Sequence, residues 1–199
     1  MSTQGTRNAS LRAAETNAPL RVADTNAPLR VADTQQAARL ARAISIPTIT
    51  PLPDAPADAE GYRAFDELVA LLRAQFPRAA STLSWERLGP LALLLHWQGT
   101  ANEPPLALYA HGDVVPAGDE AAWSRPPFGG EVADGAVWGR GTLDDKCSLL
   151  AIMEAVEELL AAGYAPRRTA LIAVGGDEEL EGSRGAGVIA ETLRGRGVR

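Results

Sequence analysis

Three short apolar runs divide this sequence: LALLLHWQG (91–99), LALYA (106–110) and TALIAVGG (169–176). Each is shorter than a stable helix needs. Asn102, Pro104 and Pro105 fill the first gap, so the runs read as buried strands, the first two joined by a turn. Elsewhere the apolar period changes. Phe65, Leu68, Val69, Leu72 and Phe76 share one face of a predicted helix over 59–76. Leu149, Met153, Val156 and Leu160 do the same over 146–162, with Glu154, Glu157 and Glu158 largely off that face and Gly163 as a natural stop. A short helix over 35–43, stopped by Pro47, and another over 182–193 complete the pattern, while TPLPDAPADAEG (50–61) and the Gly- and Pro-rich stretch 119–142 read as irregular. Helices that alternate with buried strands predict a layered α/β domain.

At 199 residues and 46% hydrophobic, the chain suits one domain, or one domain plus part of another. A net charge of -6 argues against a nucleic-acid partner. The single cysteine, Cys147, excludes an internal disulfide and a four-cysteine zinc knuckle, and reads as a small packing residue. No apolar run is long enough to span a membrane, and the N-terminus lacks the apolar core of a secretory signal, so the cytoplasm is the default expectation. Arg7, Arg12 and Arg21 among small residues keep an organelle-targeting reading open, with Glu15 and Asp24 against it. The nonapeptide NAPLRVADT occurs at 17–25 and again at 26–34. Two copies are too few for a solenoid, and the proline in each breaks a continuous helix. Residues 1–34 are therefore expected to be a disordered or extended leader, with folding from residue 35 onward.

Polar residues concentrate where the apolar elements end. HGD (111–113) follows one strand, LDDK (143–146) opens a helix, and GDEE (176–179) follows another strand. In open α/β sheets ligands bind beyond the carboxyl ends of strands. Carboxylates gathered there raise one another's pKa unless a cation or proton neutralises them. His111 supplies a nitrogen that favours zinc over magnesium, and Asp113 is spaced to fix its tautomer. Blander readings exist for each cluster: Asp144 and Asp145 as charges in a helix's first turn, DEE as a solvated turn, His111 as a structural histidine. HExxH, GxSxG and GxxxxGK are absent, which removes the usual competing chemistries.

Four stretches, in order, resemble the M20 family of zinc metallopeptidases and amidohydrolases, nearest the branch of carboxypeptidase S, the aminoacylases and the N-acyl-amino-acid hydrolases. They are YAHGDVVPAG, WSRPPFGGEVADGAVWGRGTLDDK, EAVEELLAAGYAPRRT and GGDEELEGSRGA, spread over residues 35–199. The resemblance implies a three-layer αβα zinc-exopeptidase-like catalytic domain that binds two Zn2+ ions. By it, His111 is a ligand of one zinc, Asp113 the acid that orients His111, Asp144 the bridge between both ions and Glu179 a ligand of the second. Glu178 is the general base, Asp177 a supporting residue, and the 144–145 peptide cis. Zinc would lower the pKa of a shared water, and Glu178 would take its proton. The implied partner is a small peptide or N-acyl amino acid with a free carboxylate. Trp123 and Phe128 are expected either to wall an apolar pocket or to anchor their loop.

The family pattern also includes a further acidic ligand, a late histidine and an inserted lid domain that mediates dimerisation. None is found in these residues, and His96, in mid-strand, is a poor substitute. The chain is therefore expected to be the N-terminal portion of such a catalytic domain, dimeric only if the inserted domain accompanies it. A second expectation stands beside the hydrolase: a non-catalytic α/β unit acting in binding or association.

Overall fold

The computed structural model describes residues 34–56 and 59–198. The leader and all but the last residue of the duplicated nonapeptide lie outside the described residues. Helix α1 (Thr34–Ile44) leads through a connector to α2 (Glu60–Gln75) and α3 (Pro77–Thr82). Strands β1 (Ser84–Gly89), β2 (Ala92–Trp97) and β3 (Leu106–His111) follow, then a small hairpin of β4 (Glu131–Ala133) and β5 (Ala136–Trp138). Helix α4 (Cys147–Ala161), strand β6 (Ala170–Gly175) and helix α5 (Ala186–Gly195) complete the described order.

The main sheet runs β1-β2-β6-β3, with β6 antiparallel to β2 and parallel to β3. Period-two alternation sorts its side chains between two faces. Leu91, Leu93, Leu95, Trp97, Ile172 and Val174 pack with Phe65, Leu68 and Leu72 of α2 and with Leu149, Met153 and Val156 of α4. Ala92, Leu94, Leu171 and Ala173 pack with Ile189 of α5. The sheet is thus sandwiched between α5 and the other helices, which is the three-layer αβα arrangement. Among the described residues no helix is long and apolar enough to cross a membrane.

Two strand expectations need correction. The runs at 91–99 and 106–110 are not neighbours, because β6 lies between them. The segment that joins them bonds to the residues leading into β6: Thr100 N–H to Pro166 O (2.9 Å), Ala101 N–H to Arg167 O (2.9 Å) and Leu106 N–H to Thr169 O (2.8 Å). Those bonds carry β3 one position outward and leave it pairing on one side only. Consequently β3 is not a buried strand along its length: Ala110 and His111 are buried, while Leu106 and Tyr109 are exposed. The stretch 119–142 is also more ordered than its composition suggests. Asp134 and Gly135 both take positive φ (53° and 75°), the two-residue geometry that closes a β-hairpin.

Short α3 has no capping side chain of its own, and α4 supplies one. Buried Glu157 accepts hydrogen bonds from Arg78 N–H (3.1 Å) and Ala79 N–H (2.9 Å), and pairs with the Arg78 guanidinium at 3.4 Å. A carboxylate at a helix start satisfies amides that have no partner within the helix. Glu157→Ala should therefore cost on the order of 2 kcal/mol. Urea denaturation measures this, and a change within about 0.5 kcal/mol, as for a neutral surface substitution, would contradict the capping role.

Candidate metal centre

The parallel register between β3 and β6 opposes His111 to Gly175, so the turns HGD and GDEE leave the sheet side by side. Gly112 N–H continues the ladder to Gly175 O at 2.8 Å. The third turn, 142–146, precedes α4. Within it Asp144 (φ −125°, ψ 97°) and Asp145 (φ −133°, ψ 19°) have non-helical backbone, and their peptide is cis. They are therefore not first-turn helix charges; the regular helix begins at Cys147. Cys147 directs its Sγ to Leu143 O at 3.3 Å.

The three turns meet at His111. Its Nε2 lies 2.8 Å from Asp144 Oδ1 and 3.7 Å from Glu178 Oε2. One ligand atom each from His111, Asp144 and Glu179 falls within 4.8 Å of the others. On the far side of the ring, Nδ1 faces Asp113 Oδ1 at 3.3 Å, and neither atom has another hydrogen-bond partner. Asp113 thus faces Nδ1 on the side of the ring opposite Asp144, where a carboxylate can accept the Nδ1 proton. Burial grades across the site: the Asp113 side chain is 1% exposed, His111 7% and Asp144 77%. Asp113 is deep, while Asp144 and Glu178 reach solvent.

Charge follows the same gradient. Burial would pull the His111 pKa down, but Asp113, Asp144 and Glu178 outweigh it and raise it to about 9. Burial would raise Asp113, yet His111, Thr50 and the backbone amides of Glu179 and Glu178 hold its carboxyl below the usual range. Glu179 is raised by burial first and then by the charge on Asp144. Acids packed this closely, with an imidazole among them, make a donor set suited to a divalent ion of zinc type. The residues present fit such an ion.

Several residues around the site were not singled out by the sequence. Thr50 Oγ1 donates to Asp113 Oδ2 at 2.6 Å, and Glu179 N–H donates to the same oxygen at 3.1 Å. Lys146 is fully buried, and its Nζ donates to Ala43 O (2.9 Å) and Ile46 O (2.7 Å). Burial pulls its pKa down to about 7, opposed by the charge on Asp113. Arg184 N–H donates to Asp177 Oδ2 at 2.7 Å, beneath the GDEE turn. Beside Asp144 lies a cavity of about 430 Å³ whose walls include Trp123, Val137, Trp138 and Leu143. Trp123 both lines it and anchors its loop, through Nε1–H to Ala117 O at 2.9 Å. Phe128 is not among the lining residues. A larger apolar cavity, about 600 Å³, lies beside α4 and the outer part of β3 and contains none of the candidate ligands. His96 stays in mid-strand, opposite Ser84 and Leu171, and takes no part.

Known proteins resemble this chain in sequence and in fold. The sequence profile of Peptidase family M20/M25/M40 matches residues 107–199. These residues belong to that family. The M20 relatives include the N-fatty-acyl-amino acid synthase/hydrolase PM20D1.1 of Danio rerio, 40% identical over 160 residues, with 79% of this chain and 30% of the relative covered. Carboxypeptidase S of Saccharomyces cerevisiae is 38% identical over 165 residues, with 79% of this chain and 29% of the relative covered. In fold, human carnosine dipeptidase 1 is similar over 83% of this chain and 37% of its own, with a TM-score of 0.64 at 21% identity. The chain thus spans about 30% of the length of the curated M20 relatives it matches.

A ring nitrogen must lose its proton before it can bind a cation. Because the metal-free His111 pKa stands near 9, divalent-ion affinity should rise with pH up to that value, by about tenfold per unit for the one proton released. Calorimetry of zinc uptake between pH 6 and 9, in buffers of differing protonation enthalpy, counts the released protons. A pH-independent affinity would contradict the geometry around His111.

Proposed function

We propose that this chain carries part of the active site of a zinc-dependent amide hydrolase acting on peptides or N-acyl amino acids with a free carboxylate. The observation that carries this reading is the convergence of His111, Asp144 and Glu179 with Glu178 beside them, 3.7 Å from the imidazole. The names of the relatives, a carboxypeptidase and an N-fatty-acyl-amino acid synthase/hydrolase, support the substrate class. His111, Asp144 and Glu179 would hold the metal, with Asp144 shared if two ions bind. When bound, the ion would polarise the amide carbonyl and lower the pKa of the attacking water. Glu178, half-exposed at the edge of the cluster, accepts the proton of that water as its oxygen bonds to the carbonyl carbon. The C–N bond then breaks, and the same proton passes from Glu178 to the departing amine. Asp113 keeps the imidazole oriented throughout. The Trp123 cavity beside Asp144 suits an apolar portion of the substrate.

A second reading is a metal-binding α/β unit without turnover. It is favoured by the single three-donor group found among the described residues. Release of free amino acid from N-acyl amino acids and short peptides, with and without zinc, separates the two. On the hydrolase reading Glu178→Gln retains zinc but loses turnover by roughly 10²–10⁴-fold, whereas His111→Ala loses zinc itself. Zinc uptake without any turnover supports the second reading, and absence of both refutes each.

A further inference from the structure

Arg184, like Lys146, spends its donors on protein, but it joins two separate segments beside the site. Its Nη2 donates to Pro51 O at 2.6 Å. Its Nη1 reaches Tyr62 Oη at 3.0 Å and Leu52 O at 3.4 Å. Its Nε faces Asp177 Oδ2 at 3.5 Å, the oxygen that also accepts Arg184 N–H at 2.7 Å. Three guanidinium hydrogen bonds and one ion pair are thereby made to protein. A guanidinium held this way is not a receptor for a substrate carboxylate. Its partners show what it does instead.

Followed outward, those bonds close on themselves. Pro51 is preceded by Thr50, whose Oγ1 donates to Asp113 Oδ2 at 2.6 Å. The same oxygen accepts Glu179 N–H at 3.1 Å. From Glu179 the chain runs back through Glu178 to Asp177, which is fully buried and bound to Arg184. The ring therefore contains the orienting acid of His111, the candidate base and a candidate ligand. Its two sides are also pressed into place. A Cβ on Gly61 would lie 2.3 Å from Ile49 O, so the first turn of α2 sits directly on the connector. A Cβ on Gly185 would lie 2.6 Å from Asp177 Oδ1, so the backbone just after Arg184 sits close against Asp177.

We propose that Arg184 is a positioning residue for the candidate metal centre, registering the Glu178–Glu179 turn against Asp113 and His111 through the Pro51–Thr50 connector. The role assigned to the centre rests on the function proposed above; the closed ring does not depend on it. Lysine cannot reproduce the clamp, since a single ammonium does not span Asp177, Pro51 and Tyr62 as a planar fork does.

The test reads the far side of the ring, at the Glu179 amide, by hydrogen exchange in the metal-free chain. In Arg184→Gln the Glu179 amide should exchange at least about tenfold faster, while Ile172 in the central strand β6 keeps its protection. Arg184→Lys should fall between this and the parent. Arg196→Gln, which removes only a surface pair with Glu86, should leave Glu179 unchanged. Thr50→Val breaks the ring at another link and should free the same amide, so it also decides the matter if Arg184→Gln does not fold. Combined with Arg184→Lys it should add little, because one ring is opened only once. Unchanged exchange at Glu179, a loss shared equally by Ile172, or effects that simply multiply would each overturn the proposal. Cobalt(II) titration supplies the functional arm. Parent chain that binds cobalt should lose about 10–100-fold in affinity on Arg184→Gln, with an altered visible absorption band. Parent chain that binds none counts against the metal centre, while the exchange result still decides the role of Arg184.

Discussion

Carboxylates gathered around one imidazole repel each other, and the framework beneath them must hold them together against that repulsion. The connector between α1 and α2 is the part of the framework common to all three turns. Lys146, from the LDDK turn, donates to the carbonyl of Ala43, in the last turn of α1, and to that of Ile46 at the start of the connector. Thr48 bonds to the HGD turn at both ends, through Oγ1–H to Gly112 O (2.5 Å) and through its own carbonyl to Val114 N–H (3.0 Å). Thr50 reaches Asp113, and Arg184, just after the GDEE turn, takes the carbonyls of Pro51 and Leu52. Two cations and two hydroxyls thus bind one strip of backbone to three acidic segments. The cations do so by donating to carbonyls rather than by neutralising the exposed carboxylates, which leaves those carboxylates available for a ligand.

The sheet was legible where short apolar runs were unbroken. The apolar runs at 91–99 and 169–176 became β2 and β6, and every second residue went to the face its parity predicts. Helices α2 and α4 followed from their apolar stripes. Strand order was not legible, because it rests on the backbone ladders of β6 with β2 and β3, and apolar runs alone do not say which strands pair. Strand β1, SWERLG, was missed since it is charged and mostly half-exposed. The β4–β5 hairpin was missed because its strands are three residues each, although Asp134–Gly135 was a usable turn signal.

The ligand cluster was legible as a set of polar residues placed after strands, and the family resemblance assigned roles to them. The supporting residues were harder to see. Lys146 and Arg184 lie inside the quoted motifs, yet a Lys or Arg in a sequence reads as surface charge. Only the structure shows one of them fully buried and the other bound to carbonyls on a distant connector. Thr48 and Thr50 had a faint signal: two hydroxyl residues spaced by two in IPTIT, as on one face of an extended segment.

The order β1-β2-β6-β3 also bears on how the chain is made. A ribosome delivers β1, β2 and β3 well before β6, yet β6 is the strand on which both flanking sides pair. Until it emerges, β3 has no native partner strand and β2 pairs with β1 alone, and loop closure across the intervening helix must come first. The two halves of the sheet are therefore joined only when β6 is inserted between β2 and β3, which makes the last strand of the sheet to be synthesised the one that completes it.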